Sequence, residues 1–263
     1  MRPSNLKGRI ALITGSTSGI GLAIAQRLME DGAAICLHGL ADTAQIDAAI
    51  SLTSSPDGVR SRHFGGDLTE PGAAERLIDD VERFIGPVDI LVNSAGIQHV
   101  SPIMEFSLDR WNAVLGVNLT AAFLTIQRAL PKMLARNWGR IINIASISGY
   151  IGVPNKAAYA ASKHGLLGLT KVVASETART GVTCNAICPG WVLTPLVERQ
   201  IDARARQEGA DPESIKAVFL SSVPSGQFVS PEQVAGLASF LCSPDASEVR
   251  GVGWSMDGGR LAR

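Results

Sequence analysis

Short, almost wholly apolar segments alternate with helical patterns along this chain. The segment 9–14 stops at a glycine, and residues 19–31 then carry apolar side chains at helical spacing. Strands that are apolar throughout must be buried on both faces, as in a parallel sheet covered by helices. The pattern predicts an α/β fold, a doubly wound parallel sheet of about seven strands with helices on both faces. Strands are predicted at residues 9–14, 33–37, 59–64, 88–92, 140–145, 182–188 and 251–256, and two long helices at 111–137 and 157–180.

The length of 263 residues suits a single domain, because α/β folds routinely place roughly 200–250 residues around one sheet. No internal repeat or linker-like change of composition divides the chain, so residues 1–263 are predicted to form one domain. Charged residues accumulate at 194–229, where Gly209 and Pro212 interrupt the pattern. An insertion after the sixth strand of such a sheet predicts a mobile lid over the ligand crevice.

Charge and cysteine usage exclude several classes of protein. Lys and Arg total 24, as do Asp and Glu, so no basic excess favours a nucleic-acid partner. The four cysteines lack the close pairing of a metal or dithiol motif, which predicts buried thiols and no metal site. The N-terminus is polar, and no apolar stretch approaches the ~18 residues of a membrane span. We therefore expect a cytoplasmic protein with no membrane partner.

The first strand leads into a glycine-rich turn, Thr14-Gly15-Ser-Thr-Ser-Gly19-Ile20-Gly21. Glycines at a strand-to-helix junction allow a tight turn and a close approach to a pyrophosphate, which the amides of the following helix stabilise. Because the turn follows the first strand and opens a helix, it predicts a dinucleotide site of the Rossmann type.

The end of the second strand, Cys36-Leu-His-Gly-Leu40, bears on the choice of cofactor. It carries no Arg or Lys to pair with a 2′-phosphate, which favours NAD over NADP. It also lacks the acidic residue that would bind a ribose diol, unless Asp42 reaches back. In the alternative, Arg60 or Arg62 supplies a phosphate contact from the next strand.

A phenol and an ammonium group lie four residues apart in Tyr159-Ala-Ala-Ser-Lys163. On a helix this spacing places both on one face, where the cation and a nicotinamide charge favour the phenolate. Ser146 follows the apolar run 141–145, and the carboxyl ends of parallel strands face the ligand crevice. The three residues predict an acid/base site, although a solvated Tyr–Lys pair is the alternative.

These motifs together resemble the short-chain dehydrogenases/reductases over essentially the whole chain. The matching elements are Thr14-Gly-x-x-x-Gly-x-Gly21, Asp67, Asn93-Ser-Ala-Gly96, Asn118, Ser146, Tyr159-x-x-x-Lys163 and Pro189-Gly190. The resemblance implies that Tyr159 is the general acid/base, that Lys163 lowers its pKa and holds the nicotinamide ribose, and that Ser146 binds the reacting oxygen. Asn118 would position a water in a proton relay. The implied cofactor contacts are Gly15, Thr17, Ser18, Gly19, Ile20, Gly21, Leu40, Asp67, Leu68, Ser94, Ala95, Gly96, Tyr159, Lys163, Pro189, Gly190, Trp191, Val192 and Thr194. Ser94 departs from the family, which usually has asparagine there.

Within this family, four stretches resemble the bacterial D-3-hydroxybutyrate dehydrogenases: 93–99, 137–146, 155–159 and 183–197. The resemblance implies an NAD-dependent enzyme that interconverts (R)-3-hydroxybutyrate and acetoacetate. The expected substrate contacts are Gln98, Ser146, Ser148, Lys156, Tyr159, Trp191 and Gln200, with Gln98, Lys156 and Gln200 as donors to a carboxylate. Ser148 stands where these enzymes usually carry a histidine, and Tyr150 could compensate for that loss.

Two other functions remain open at this point. The first is an NADPH-dependent reductase of 3-oxoacyl thioesters within the same family, and the second is a non-catalytic nucleotide-sensing protein. The resemblance also implies a homotetramer formed through the two long helices and the C-terminal segment.

Overall fold

The computed structural model describes residues 5–54 and 61–262. They form a seven-stranded sheet in the order β3-β2-β1-β4-β5-β6-β7, in which all neighbouring strands pair in parallel. The strands are β1 Ile10–Ile13, β2 Ala34–His38, β3 Arg62–Phe64, β4 Ile90–Asn93, β5 Gly139–Ile144, β6 Val182–Pro189 and β7 Gly253–Met256. The predicted fold class is confirmed. The first two residues of the strand predicted at 59–64 lie outside the described residues.

Helices cover both faces of the sheet. They are α1 Gly19–Glu30, α2 Thr43–Leu52, α3 Ala73–Phe84, α4 Leu108–Leu115, α5 Ala121–Ala135, α6 Ala157–Glu176, α7 Pro195–Glu208, α8 Pro212–Leu220 and α9 Pro231–Cys242. One apolar cluster joins α1 and α9 to the sheet, and a second joins α3, α5 and α6 to it. Every residue of β4, β5 and β6 is buried, which explains why most of their residues are apolar.

The strand order reverses between β1 and β4. From β1 the chain winds outward to β3 and then returns to β4 on the other side of β1. Thr14, after β1, ties the two strand ends together, because its Oγ1 accepts hydrogen bonds from the Ser94 and Ala95 amides at 3.0 Å each. Ligands of doubly wound sheets bind in the crevice at such a reversal.

The helix predicted at 111–137 is instead two helices joined by a π-helical turn, Gly116–Thr120. The Ser107 hydroxyl caps α4 at the Arg110 amide, so the helix begins before residue 111. The wider turn interrupts the 3.6-residue period and gives Asn118 a buried position. Hydrophobic periodicity alone does not reveal such an insertion.

The helical stretch Leu108–Ala135 is long and apolar enough, by length and composition alone, to cross a membrane, because an 18-residue window within it has a mean hydropathy of 1.4. This differs from the expectation that no stretch approaches that length. A core helix passes the same test, and α5 buries Ile126, Ala129 and Met133 in the cluster it shares with α3.

The predicted lid, residues 194–229, contains α7 and α8. These helices enclose an apolar cluster of their own, Val197, Ile201, Ala205 and Ile215, against which Trp191 and Phe219 pack. Val229 binds the backbone on both sides of Val192, because its amide donates to Trp191 O and its carbonyl accepts from the Leu193 amide. The two ends of the insertion, near Leu193 and at Val229, are thus held next to each other.

Candidate active site

A cavity of about 290 Å³ opens at the carboxyl ends of the central strands. Its walls come from the glycine turn, the ends of β4, β5 and β6, the start of α6, the lid helix α7 and the C-terminal segment. The cavity therefore lies at the reversal of strand order.

The glycine turn is shaped so that only glycine fits it. Gly15 and Gly19 have φ of 65° and 56°, in the left-handed region. A Cβ on Gly15 would lie 2.8 Å from Ala95 Cα, and one on Gly21 would overlap the Gly15 carbonyl oxygen. No side chain caps the start of α1, so its first amides are left for an anion. These features fit a dinucleotide pyrophosphate.

The end of β2, residues 36–40, and the turn residues Thr17 and Ser18 include no Arg or Lys. The His63 ring lies beside this strand end, with its Nε2 3.0 Å from the Gly39 carbonyl oxygen. A Cβ on Gly39 would lie 2.7 Å from Thr17 Oγ1, so the turn and the strand end meet closely. Asp42 does not reach back, because its Oδ1 accepts from the Gln45 amide at 2.8 Å and caps α2. The Arg62 guanidinium lies over the rings of Phe64 and Phe84. Arg60 lies outside the described residues.

Most of the predicted cofactor residues surround the main cavity: Gly15, Ser18, Gly19, Ile20, Gly21, Ser94, Gly96, Tyr159, Lys163, Pro189, Gly190, Trp191, Val192 and Thr194. Leu68 and Ala95 line a small adjoining cavity. Thr17, Leu40 and Asp67 line neither of these two cavities, and Leu40 is 70% exposed. The Asp67 carboxylate accepts from the Thr69 amide at 2.9 Å, and this hydrogen bond lowers the pKa of Asp67.

Ser146, Tyr159 and Lys163 line the main cavity together, as predicted. Ser146 follows β5, and its Oγ accepts from the Ser148 amide at 3.1 Å. Lys163 Nζ donates to the Ile144 carbonyl at 2.7 Å and lies 5.6 Å from the centroid of the Tyr159 ring. The backbone of β5 thus fixes the amine one helical turn beyond the phenol.

Burial is the largest influence on the pKa values of Tyr159 and Lys163. It raises the pKa of Tyr159 above its usual value, and the hydrogen bond with Ser146 lowers that pKa by less. Burial also lowers the pKa of Lys163 to about 8. In the protein alone the Lys163 amine donates to the Ile144 carbonyl, and its role in lowering the pKa of Tyr159 stays a prediction.

Asn118 uses its side chain to hold the loop after β4. Its Oδ1 accepts from the Ile97 amide at 2.8 Å, and its Nδ2 donates to the Ile97 carbonyl and to Ser162 Oγ. A Cβ on Gly96 would lie 3.4 Å from Asn118 Oδ1 and 3.8 Å from Lys163 Nζ. Asn118 therefore lies next to Lys163 across Gly96, and its role in a proton relay stays a prediction.

All of the predicted substrate residues line the main cavity: Gln98, Ser146, Ser148, Lys156, Tyr159, Trp191 and Gln200. The Ser101 amide donates to the Asn155 carbonyl at 2.9 Å, which joins the loop of Gln98 to the residue before Lys156. Lys156 Nζ lies 5.0 Å from the Trp191 ring centroid. The predicted donors for a carboxylate thus line the same cavity as the acid/base pair.

Tyr150 does not compensate for Ser148. Its hydroxyl donates to the Gly253 carbonyl on β7 at 2.7 Å, and its ring is not among the residues that line the main cavity.

Sequence reasoning missed several residues of the cavity wall, including Ile147, Val153, Arg199 and Arg260. Arg260 is the least expected, since it lies about a hundred residues from Lys156 in the sequence. The Asp257-Gly-Gly259 segment indicates a turn in the sequence, but it does not indicate that the following arginine reaches the crevice.

Residues 9–205 match a family model described as short chain dehydrogenase. A D-beta-hydroxybutyrate dehydrogenase from Cupriavidus necator is 49% identical to this chain and covers 98% of it and 100% of its own length. One from Rhizobium meliloti is 45% identical, with 97% and 99% covered. A crystal structure from Agrobacterium tumefaciens, described as a 2-deoxy-D-gluconate 3-dehydrogenase with bound NADP, has a TM-score of 0.87 and 35% identity, and 100% of each chain is covered.

Proposed function

Because this chain belongs to the short-chain dehydrogenase/reductase family, a family of nicotinamide-dependent oxidoreductases, we propose that it interconverts (R)-3-hydroxybutyrate and acetoacetate by hydride transfer. One observation carries the proposal: a single cavity holds both the Ser146–Tyr159–Lys163 group and three carboxylate donors, Gln98, Lys156 and Gln200. Two relatives with 49% and 45% identity bear the name of that activity, which supports the assignment.

One set of residues binds the substrate, and another carries out the proton transfer. Gln98, Lys156 and Gln200 bind the carboxylate, and Trp191 packs on the short alkyl chain. Ser146 donates to the reacting oxygen, and Tyr159 takes the hydroxyl proton during oxidation and returns it during reduction. The glycine turn and Lys163 would hold the nicotinamide cofactor, which would supply the acceptor for the hydride of the carbinol carbon. Oxidation thus yields the ketone, the reduced cofactor and one proton.

Lys163 prepares Tyr159 for this proton transfer. Burial alone favours the neutral phenol, so the phenolate needs nearby positive charge. The ammonium of Lys163 provides it from the next helical turn and also holds the nicotinamide ribose. With a pKa of about 8, Lys163 is mostly protonated at neutral pH.

NAD is the cofactor that we propose. Thr17, Ser18 and Gly39 are neutral, and Arg62 lies against aromatic rings rather than at the end of β2. A 2′-phosphate would thus meet no cation from these residues. We expect kcat/KM to be at least about tenfold higher with NAD than with NADP. A preference for NADP would contradict this choice.

A panel of 3-hydroxy acids tests the activity. We expect oxidation of (R)-3-hydroxybutyrate with NAD and little oxidation of the S enantiomer, followed as reduced cofactor. Faster reduction of a 3-oxoacyl thioester with NADPH than of acetoacetate with NADH would favour the thioester reductase instead.

The assembly and the location are also proposals. We propose a homotetramer, supported by the exposed apolar side chains of Phe123 on α5, Val172 on α6 and Trp254 on β7. We propose a cytoplasmic location, supported by four free and buried cysteines.

A further inference from the structure

Arg260 reaches the substrate end of the cavity from the far end of the chain. It lines the cavity with Gln98, Lys156, Tyr159 and Gln200 and is partly buried there. Its position follows from the turn after β7 and requires no movement of the lid.

Hydrogen bonds hold this turn on both sides. The Asp257 carboxylate accepts from the Gly259 and Leu261 amides at 2.9 Å each, and the Gly258 carbonyl accepts from the Ser225 amide at 3.0 Å. Gly258 and Gly259 both have positive φ, and a Cβ on Gly258 would overlap Ser225 Oγ. Arg260 is therefore presented by a built turn rather than by a loose terminus.

The charge of the cavity is unbalanced. Four cations line it, Lys156, Lys163, Arg199 and Arg260, and none of the described residues that line it is acidic. The Arg260 side chain makes no ion pair or hydrogen bond with another described residue. Lys156 lies close enough to Arg260 for the like charge to add to burial in lowering the pKa of Lys156. Two repelling cations that face one cavity favour an anion between them.

A single carboxylate does not need all of these donors. Its two oxygens offer about four acceptor positions, and the ammonium of Lys156 with the amides of Gln98 and Gln200 carries more N–H donors than that. Arg260 adds a guanidinium suited to a further carboxylate.

We propose that Arg260 is a second anion-binding residue of the substrate site, and that the enzyme accepts 3-hydroxy acids with a second carboxylate and binds them more tightly than 3-hydroxybutyrate. This inference rests on the proposed function, because it assumes that the cavity holds a hydroxy acid. The substrate class it names is the 3-hydroxy dicarboxylates, for which 3-hydroxyglutarate is a suitable probe.

Calorimetric titration of the protein saturated with reduced nicotinamide cofactor tests the inference without turnover. The probes are butyrate and glutarate, unreactive acids that differ by one carboxylate. We expect glutarate to bind about tenfold more tightly than butyrate, as one added charge-assisted contact allows. Arg260→Gln should remove this preference and leave the Kd of butyrate within about threefold, whereas Arg260→Lys should keep most of it.

Arg206→Gln is the matched control, because Arg206 is an exposed arginine on α7 that does not line the cavity. It should leave the preference unchanged. Equal binding of the two acids by the unaltered protein, an unchanged preference in Arg260→Gln, or equal weakening of both acids in that variant would overturn the inference. The proposed function fails separately, if the unaltered enzyme does not oxidise (R)-3-hydroxybutyrate.

Discussion

Lys163 keeps its ammonium group in an enclosed position where one backbone carbonyl is its hydrogen-bond acceptor. Removing a charge from water is costly, and the lowered pKa of about 8 reflects that cost. The buried ammonium of Lys163 therefore lowers the stability of the folded protein, although the phenolate of Tyr159 needs this positive charge.

A pH series should reveal this cost. Between about pH 8 and pH 10.5 Lys163 stays protonated in the unfolded chain but loses its proton in the folded protein. The free energy of unfolding therefore increases as pH rises through this window. Relative to Lys163→Met, the stability of the unaltered protein should rise by up to about 3 kcal/mol across this window. Lys171→Met removes an exposed lysine from the same helix and keeps Lys163, so in denaturant titrations it should show the same rise as the unaltered protein. Parallel pH curves for the unaltered protein and Lys163→Met would contradict the account.

Lys156 is expected to act on substrate affinity alone. It lies against Trp191 and lines the cavity together with Gln98 and Gln200. Lys156→Ala should raise the KM for 3-hydroxybutyrate about 10- to 100-fold, the effect of losing a charged hydrogen bond, and change the KM for NAD little. Steady-state kinetics with each substrate varied in turn measures both constants. An equal rise in both would rule out a carboxylate contact.

Among the secondary-structure elements, the strands position the polar side chains of the site, because these side chains lie at or just after the strand ends. β1 and β4 meet through Thr14, β5 delivers Ser146, and β2 ends in His38, whose Nε2 lies 3.0 Å from the Gly66 carbonyl. Strand ends and the glycine turn were predictable, because apolar runs and glycines are local signals. The π-helical turn around Asn118 was not, since its effect is to move one buried side chain within an apolar helix.

His38 gives β2 an acid-sensitive end. Burial lowers the pKa of His38 to about 4, from 6.5. As pH falls from about 6.5 to 4, His38 becomes protonated in the unfolded chain but stays neutral in the folded protein. The free energy of unfolding therefore decreases in that window. Relative to His38→Asn, the unaltered protein should lose about 2–3 kcal/mol. Urea titrations at three pH values test this, and an unchanged difference between the two proteins would refute it.

Across the whole molecule, the sequence predicted the fold class and the residues that meet at the crevice, because these depend on alternation and on motifs at strand ends. It could not predict Arg260, whose place depends on how the C-terminal turn packs on β6 and on the end of the lid. Nor could it give the titration of Tyr159, which depends on burial by residues from several elements.

The proposed tetramer is a prediction at this same scale. Size-exclusion chromatography with light scattering should give about four times the chain mass of 27.6 kDa, because exposed apolar side chains on α5, α6 and β7 favour association. Phe123→Glu, on the exposed face of α5, should reduce the assembled fraction. A monomer at micromolar concentration would contradict the proposal.

The account depends most on proton transfer by Tyr159. The direct measurement is oxidation of (R)-3-hydroxybutyrate at saturating NAD by Tyr159→Phe, with cofactor affinity measured in parallel. Losing the general base should lower kcat about 10²- to 10⁴-fold and leave the Kd of NADH within about threefold. A kcat equal to that of the unaltered enzyme would show that another group moves the proton and would contradict the account.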